Sequence, residues 1–296
     1  MISEGAATPS AQAASQSKPT LTVRKLEVDL SQGFDRHWHG GDAFLSQYYN
    51  ALSMSFPVGE QSFIDAVREG LLLLPDSPEH AGLRADAAQF IGQEASHRQV
   101  HARYNAELEK QGLVNGWQHW ATKRVEFGRK HHVHALHLLA VTAAYEHCTA
   151  VFADGTLRHD AWFAAAEPRL RTLWRWHAVE ETEHRAVAFD LYQALGGNYR
   201  WRIRWYFYAL SLFALDAMRQ TVLNLWHDSS LFKLATWWSA AKFLFGKNGP
   251  VWRSTGPLLD YFRRDFHPDQ DHRHPTAQAL ADSWLQANSA SLRVLR

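Results

Sequence analysis

From Pro57 onward, apolar positions recur every three to four residues, the spacing of one face of an α-helix. Val58, Ile64, Val67 and Leu71 form the first stripe. Pro57 suits the opening turn of a helix and Pro75 closes the run. A second helix is expected from about Glu79 to Gln111, stopped by Gly112. A third periodic region runs from about Trp117 to Phe152, with Gly128 as a point of division and Asp154-Gly155 as its end. A fourth starts near Pro168 and ends at Gly196-Gly197, after a loop over 154–166 with room for a short turn. Strand-like alternation with paired turn signals is hard to find. The pattern therefore predicts an all-α fold: a four-helix bundle over 56–198 and an aromatic-rich helical extension over 199–296 packed on it. Residues 1–20 are small and polar and lack the basic start and apolar stretch of a signal peptide, so a disordered tail is expected there. Residues 21–55, with a His-Trp-His-Gly-Gly cluster at 37–41, read as an extended arm leading into the bundle.

Composition narrows the chemistry. A chain of 296 residues, 46% of them hydrophobic, is large enough to bury a sizeable core. A net charge of +1 gives no electrostatic reason to expect nucleic acid as a partner. The single cysteine, Cys148, excludes an intramolecular disulfide and a cysteine-based zinc knuckle, and fits a reducing, cytoplasmic setting. Eighteen histidines are compatible with metal work, which directs attention to the carboxylates and imidazoles on the expected helices.

Those residues repeat. Glu60 stands on the first helix, and Glu94 with His97 forms Glu-x-x-His on the second. Glu146 stands on the third, and Glu181 with His184 forms Glu-x-x-His on the fourth. Glu60 and Glu94 are 34 residues apart, and Glu146 and Glu181 are 35 apart, so the chain twice presents a helix with one glutamate followed by a helix with the motif. Residues three apart lie about 60° from each other and one turn along the axis, so both can point into a bundle. Two such hairpins facing each other make the carboxylate-bridged dimetal site of a ferritin-like bundle. Four carboxylates neutralise two divalent ions in a low-dielectric interior; without metal they repel or take up protons. His177 lies one turn before Glu181, on the same face as His184, and is a candidate third imidazole ligand. The expected division has Glu94 and Glu181 bridging, Glu60 with His97 on one metal, and Glu146 with His184 and His177 on the other.

A single Glu-x-x-His usually marks a solvated face; two copies at matched spacing behind two further glutamates rarely arise by chance. Of the flanking acids, Glu183 reads as solvated and Glu180 as a residue standing behind the ligands. Ala88, Gly92, Ala95, Ala143, Ala144 and Ala150 leave room for metals and substrate, or let helices approach closely. The run His131, His132, His134 and His137 starts about 20 Å along the helix from Glu146 and reads as surface. His267, Asp269, Asp271, His272 and His274 read as a solvated loop.

The stretches Phe-Pro-Val-Gly-Glu-Gln-Ser-Phe at 56–63, Gln-Glu-Ala-Ser-His at 93–97, Tyr-Glu-His at 145–147 and Trp-His-x-x-Glu-Glu-x-Glu-His at 176–184 resemble the bacterial proteins catalogued as predicted metal-dependent hydrolases. The ligand order is also similar to that of the di-iron p-aminobenzoate N-oxygenase. That resemblance implies ligand positions at Glu60, Glu94, His97, Glu146, His177, Glu181 and His184, and two metal ions, iron foremost with manganese or zinc as alternatives. Three function classes follow. The first is a di-iron oxidase or oxygenase acting on an apolar or aromatic small molecule with an external electron donor. The second is a two-metal hydrolase, as the catalogue name says, and the third a non-catalytic metal-binding or storage protein. Carboxylates with a few imidazoles in a helical interior favour the first. Tyr145 and Trp176, next to ligands, read as packing residues ahead of radical relays.

Between Trp201 and Trp252 stand thirteen aromatics, six of them tryptophan. The apolar stretches Trp205–Leu215 and Leu231–Phe245 are too short or too interrupted to span a bilayer, which takes about 20 residues. They are expected to pack on the bundle, to line an aromatic entrance or homodimer interface, or to rest on a membrane surface.

Overall fold

The computed structural model describes residues 21–270 and 274–295. The expected tail at 1–20, and Asp271 and His272 of the polar loop, lie outside the described residues. The fold is an all-α bundle. Its first long pair is α1 (Ala43–Leu73) and α2 (Ala81–Lys110). A second pair, α4 (Ala135–Arg158) and α5 (Pro168–His184), follows α3 (Gly116–Lys130). Both pairs run antiparallel. Ser53 meets Asn105 and Leu71 meets Arg84 across the first, while Glu146 meets His184 across the second. Beyond them come α6 (Val187–Ala194), α7 (Tyr199–His227), α8 (Leu234–Phe245), α9 (Pro250–Asp260) and α10 (His274–Ala287).

Several boundaries differ from those expected. α1 begins 14 residues before Pro57, capped by Asp42, whose side chain accepts from the Leu45 N–H at 2.9 Å. The arm therefore ends at Asp42, and Pro57 lies inside the helix. A proline there leaves the carbonyl four residues earlier without its helical partner. That carbonyl is Ser53 O, and Asn105 Nδ2 of α2 donates to it at 3.0 Å; Asn115 Nδ2 donates to the next carbonyl, Met54 O, at 3.1 Å. The third periodic region divides at His131–His134 rather than at Gly128. His134 caps α4 by accepting from the Leu136 N–H. α4 runs past Asp154-Gly155 to Arg158, because Gly155 sits against the Trp162 ring, where an added Cβ would lie 2.4 Å from it. The fourth helix breaks after His184 and resumes as α6.

A two-stranded antiparallel sheet joins the ends of the described chain, β1 (Arg24–Leu26) pairing with β2 (Leu292–Val294). These three-residue strands carry no alternation long enough to read from sequence. Gly92 does not make room around the expected ligands: its missing Cβ accommodates Val23, the residue before β1. β1 thereby lies along α2 and delivers Arg24 to the bundle. Phe63, Val67, Phe90, Leu139, Ala143 and Ala144 fill one side of the interior. Tyr49, Met54, Tyr104, Leu170, Leu173 and Trp176 fill another.

Candidate metal centre

All seven expected ligands point into the bundle and are buried: Glu60 on α1, Glu94 and His97 on α2, Glu146 on α4, and His177, Glu181 and His184 on α5. Donor atoms of Glu94, His97, Glu181 and His184 lie within 4.8 Å of one another, as do donor atoms of Glu60, His101 and His177. Glu146 Oε2 sits 3.0 Å from His184 Nδ1. Glu181 is central, with Oε1 3.1 Å from His177 Nε2, 3.6 Å from His97 Nδ1 and 3.7 Å from His184 Nε2. The donors thus gather in a different division from the one expected: Glu60 clusters with His177 and His101 rather than with His97.

Whether this interior fits metal can be judged from its unmet polar atoms. Both oxygens of Glu60 and of Glu94, His97 Nδ1, Glu146 Oε1, His177 Nε2, Glu181 Oε2 and His184 Nε2 are buried and make no well-aligned hydrogen bond, though His177 Nε2 has Glu181 Oε1 at 3.1 Å. Each of the seven residues contributes at least one such atom. A buried polar atom left unmet costs about 1–3 kcal/mol. Nine of them together are comparable with the roughly 5–15 kcal/mol by which a domain is stable, a cost that bound cations or protons would relieve. Four carboxylates and three imidazoles converging on one volume match a pair of divalent cations.

Electrostatics describe the metal-free condition. Burial, then the charges of Glu181 and Glu146, pushes the Glu60 carboxyl well above the usual carboxylate range. Burial and neighbouring carboxylates do the same to Glu94. Burial lifts Glu146 to about 7, partly offset by His184. For Glu181 burial acts upward, but His184 and His177 outweigh it and hold the group below its ordinary value. Burial alone would depress His184; Glu146 and Glu181 overcome it and raise the imidazole to about 9. His97, with three other imidazoles near, is driven well below its ordinary value by burial and their charge.

Behind the donors stands a set of orienting contacts. His97 Nε2 pairs with Glu180 Oε2 at 2.9 Å, which leaves Nδ1 facing inward. Glu180 in turn lies 3.5 Å from Arg24. Glu183, expected to be solvated, instead accepts both arms of the Arg24 guanidinium at 2.8 and 2.9 Å and a hydrogen bond from Gln93 at 2.8 Å. His101, absent from the expected set, pairs through Nε2 with His177 Nδ1 at 2.9 Å, and Ser53 Oγ holds its other nitrogen at 2.9 Å. The signal for it was present: His97 and His101 are four apart on one helix. Among the other histidines, His137 accepts from Trp205 Nε1 at 3.0 Å and His267 pairs with Asp190 at 2.8 Å, and neither joins a converging group of donors among the described residues.

A cavity of about 580 Å³, counting its open mouth, ends on Glu181 and His177. Tyr48, Tyr49, Phe56, Trp174, Phe213 and Phe243 make its walls. Phe56 stands where the cavity meets the donors, its ring centroid 4.5 Å from those of His101 and His177.

A family model described as "predicted metal-dependent hydrolase" matches residues 22–272. The chain belongs to this family. The match takes in β1, both ligand-bearing helix pairs and α7 to α9, so in this family member Arg24, the seven donors and the aromatic cavity fall within the shared region. No curated protein and no solved structure matches the chain.

Proposed function

We propose that the chain is a dimetal enzyme whose centre, held by Glu60, Glu94, His97, Glu146, His177, Glu181 and His184, acts on an apolar small molecule admitted along the aromatic cavity. The supporting observation is the set of nine unmet donor atoms, drawn from all seven residues, two of which, His177 and Glu181, line that cavity. The two helix pairs, each bringing one glutamate and one Glu-x-x-His, correspond to the ferritin-like dimetal plan. Bound iron would supply the electrons that reduce dioxygen during oxidation of the substrate, with an external donor restoring them. The residues of the chain do the rest. Glu181, reached by three imidazoles, suits a bridging position. Glu180 fixes the direction of the His97 ring. Phe56, Trp174 and Tyr49 exclude bulk water from the approach and present ring faces to an apolar substrate.

The family description speaks for hydrolysis rather than oxidation, and is the observation behind a second reading. There the metal pair would lower the pKa of a water, and the same cavity would seat an apolar ester. The donor set, rich in carboxylate and closed off by aromatics, is what favours redox chemistry. A storage role leaves the aromatic cavity without purpose. Anaerobic loading with ferrous ion followed by dioxygen separates the two enzymatic readings. Oxidation predicts dioxygen uptake in proportion to bound iron and a diferric absorption. Dioxygen left untouched, together with cleavage of nitrophenyl esters or phosphoesters by the manganese or zinc form, would establish hydrolysis instead.

A further inference from the structure

The expectation that the tryptophan-rich extension packs inward holds for only part of it. Trp205 rests half-buried on the core, and Phe213 and Phe243 wall the cavity. Trp237 and Trp238 face outward. α8 decides what this means. At about 100° per residue, Thr236, Ala240 and Phe243 share one face, which turns toward the protein. Leu234, Trp238, Ala241 and Phe245, at i, i+4, i+7 and i+11, share the opposite face. Leu234 is 84% exposed, Trp238 72% and Phe245 56%. A surface helix ordinarily turns polar residues outward; α8 turns apolar ones outward as well as inward. Phe232, 85% exposed, extends the apolar face from the loop before α8, and Trp252 of α9 continues it, with its ring 6.3 Å from that of Phe245.

Charge identifies what this face meets. From Ser229 to Leu259 the sequence has Lys233, Lys242, Lys247 and Arg253 and no carboxylate. None of these four cations forms an ion pair among the described residues. Exposed tryptophan, phenylalanine and leucine edged by unpaired cations are the composition that settles at the headgroup level of an anionic bilayer. A self-associating face would bring those like charges together. No helix among the described residues is long and apolar enough to cross a membrane, so the contact is peripheral.

We propose that α8, with Phe232 and Trp252 at its margins, is a docking face for an anionic lipid surface. The inner side of the same helix supplies Phe243 to the cavity wall, so a docked molecule brings the aromatic cavity near the acyl region and shortens the path of an apolar substrate from bilayer to site. That route rests on the proposed function; the docking does not, and is tested on the full chain as purified, without added substrate. The probe is sedimentation with vesicles of phosphatidylcholine containing phosphatidylglycerol, against phosphatidylcholine alone. The wild-type chain is expected to pellet with the anionic vesicles. Lys233→Gln with Lys242→Gln should weaken binding by about thirtyfold, the loss expected for two lysines facing an anionic surface. Trp238→Ser with Phe245→Ser should weaken it by about tenfold or more. Because these side chains are exposed, the melting curve should be unchanged in both variants. Failure to pellet with anionic vesicles, or equal binding by either double variant, overturns the proposal. So does a wild-type dimer that Trp238→Ser with Phe245→Ser converts to monomer without any vesicle binding, which would make the face an interface between copies of the chain.

Discussion

The two helix pairs that build the centre carry the same motif and prepare it differently. In the α1–α2 pair, His97 is gripped from outside by Glu180, stays neutral, and turns an unmet Nδ1 inward. In the α4–α5 pair, His184 is gripped from within the site by Glu146 and holds a proton up to about pH 9. The first imidazole is ready to receive a metal; the second must first lose a proton and release Glu146. A sequence repeat thus brings equivalent groups together, while the partner of each imidazole, Glu180 outside the site for His97 and Glu146 inside it for His184, sets the state in which it waits.

The largest expected effect comes from the residue both halves share. Glu181 reaches His97, His177 and His184, whereas Glu94 reaches His184 at 3.5 Å. Glu181→Ala should leave no more than about one metal per chain, as a lost bridge removes a ligand from both ions. Glu94→Ala should also fall well below two, and elemental analysis of the reconstituted variants compares them.

The difference between the histidines predicts proton release. At pH 7 Glu60, Glu94 and His184 are protonated in the metal-free protein and Glu146 about half so; these protons must leave for metal to bind, so affinity rises with pH, by about tenfold per unit for each proton released. His184→Gln should lower that slope by about one proton and His97→Gln should leave it unchanged. Calorimetry in buffers of different ionisation enthalpy measures it. Equal slopes in the two variants would erase the contrast.

Glu180→Leu removes the outer grip on His97 and should weaken metal binding by about 10–100-fold with the helical content retained. The smallest effect belongs to the scaffold. Asn105→Leu takes the partner from Ser53 O beneath Pro57 and should cost about 1–3 kcal/mol of stability while two metals still bind. A denaturant series with metal analysis reads both quantities.

What the sequence disclosed follows the range of the interactions involved. The two Glu-x-x-His motifs were legible because helix geometry converts a spacing of three into a shared face. Glu183 looks solvated in the sequence because its partner, Arg24, comes from 159 residues away through a three-residue strand with no pattern of its own. The start of α1 was misplaced because Pro57 looks like a first-turn residue until Asn105 is seen serving the orphaned carbonyl. The aromatic extension was legible as unusual, but only exposure separates Phe243, which faces the cavity, from Trp238, which faces outward. Hydrophobic residues on every side of a short helix say that it has two apolar neighbours without saying which is protein.

The central claim is that seven side chains from two helix pairs hold two metal ions. Its most direct test is a metal titration of the stripped chain, followed by dialysis and elemental analysis. Two equivalents retained by the wild-type chain, and a clear loss with Glu60→Ala and with Glu146→Ala, one from each pair, is the predicted result. Retention of fewer than two, or retention unaltered by both substitutions, would contradict the account.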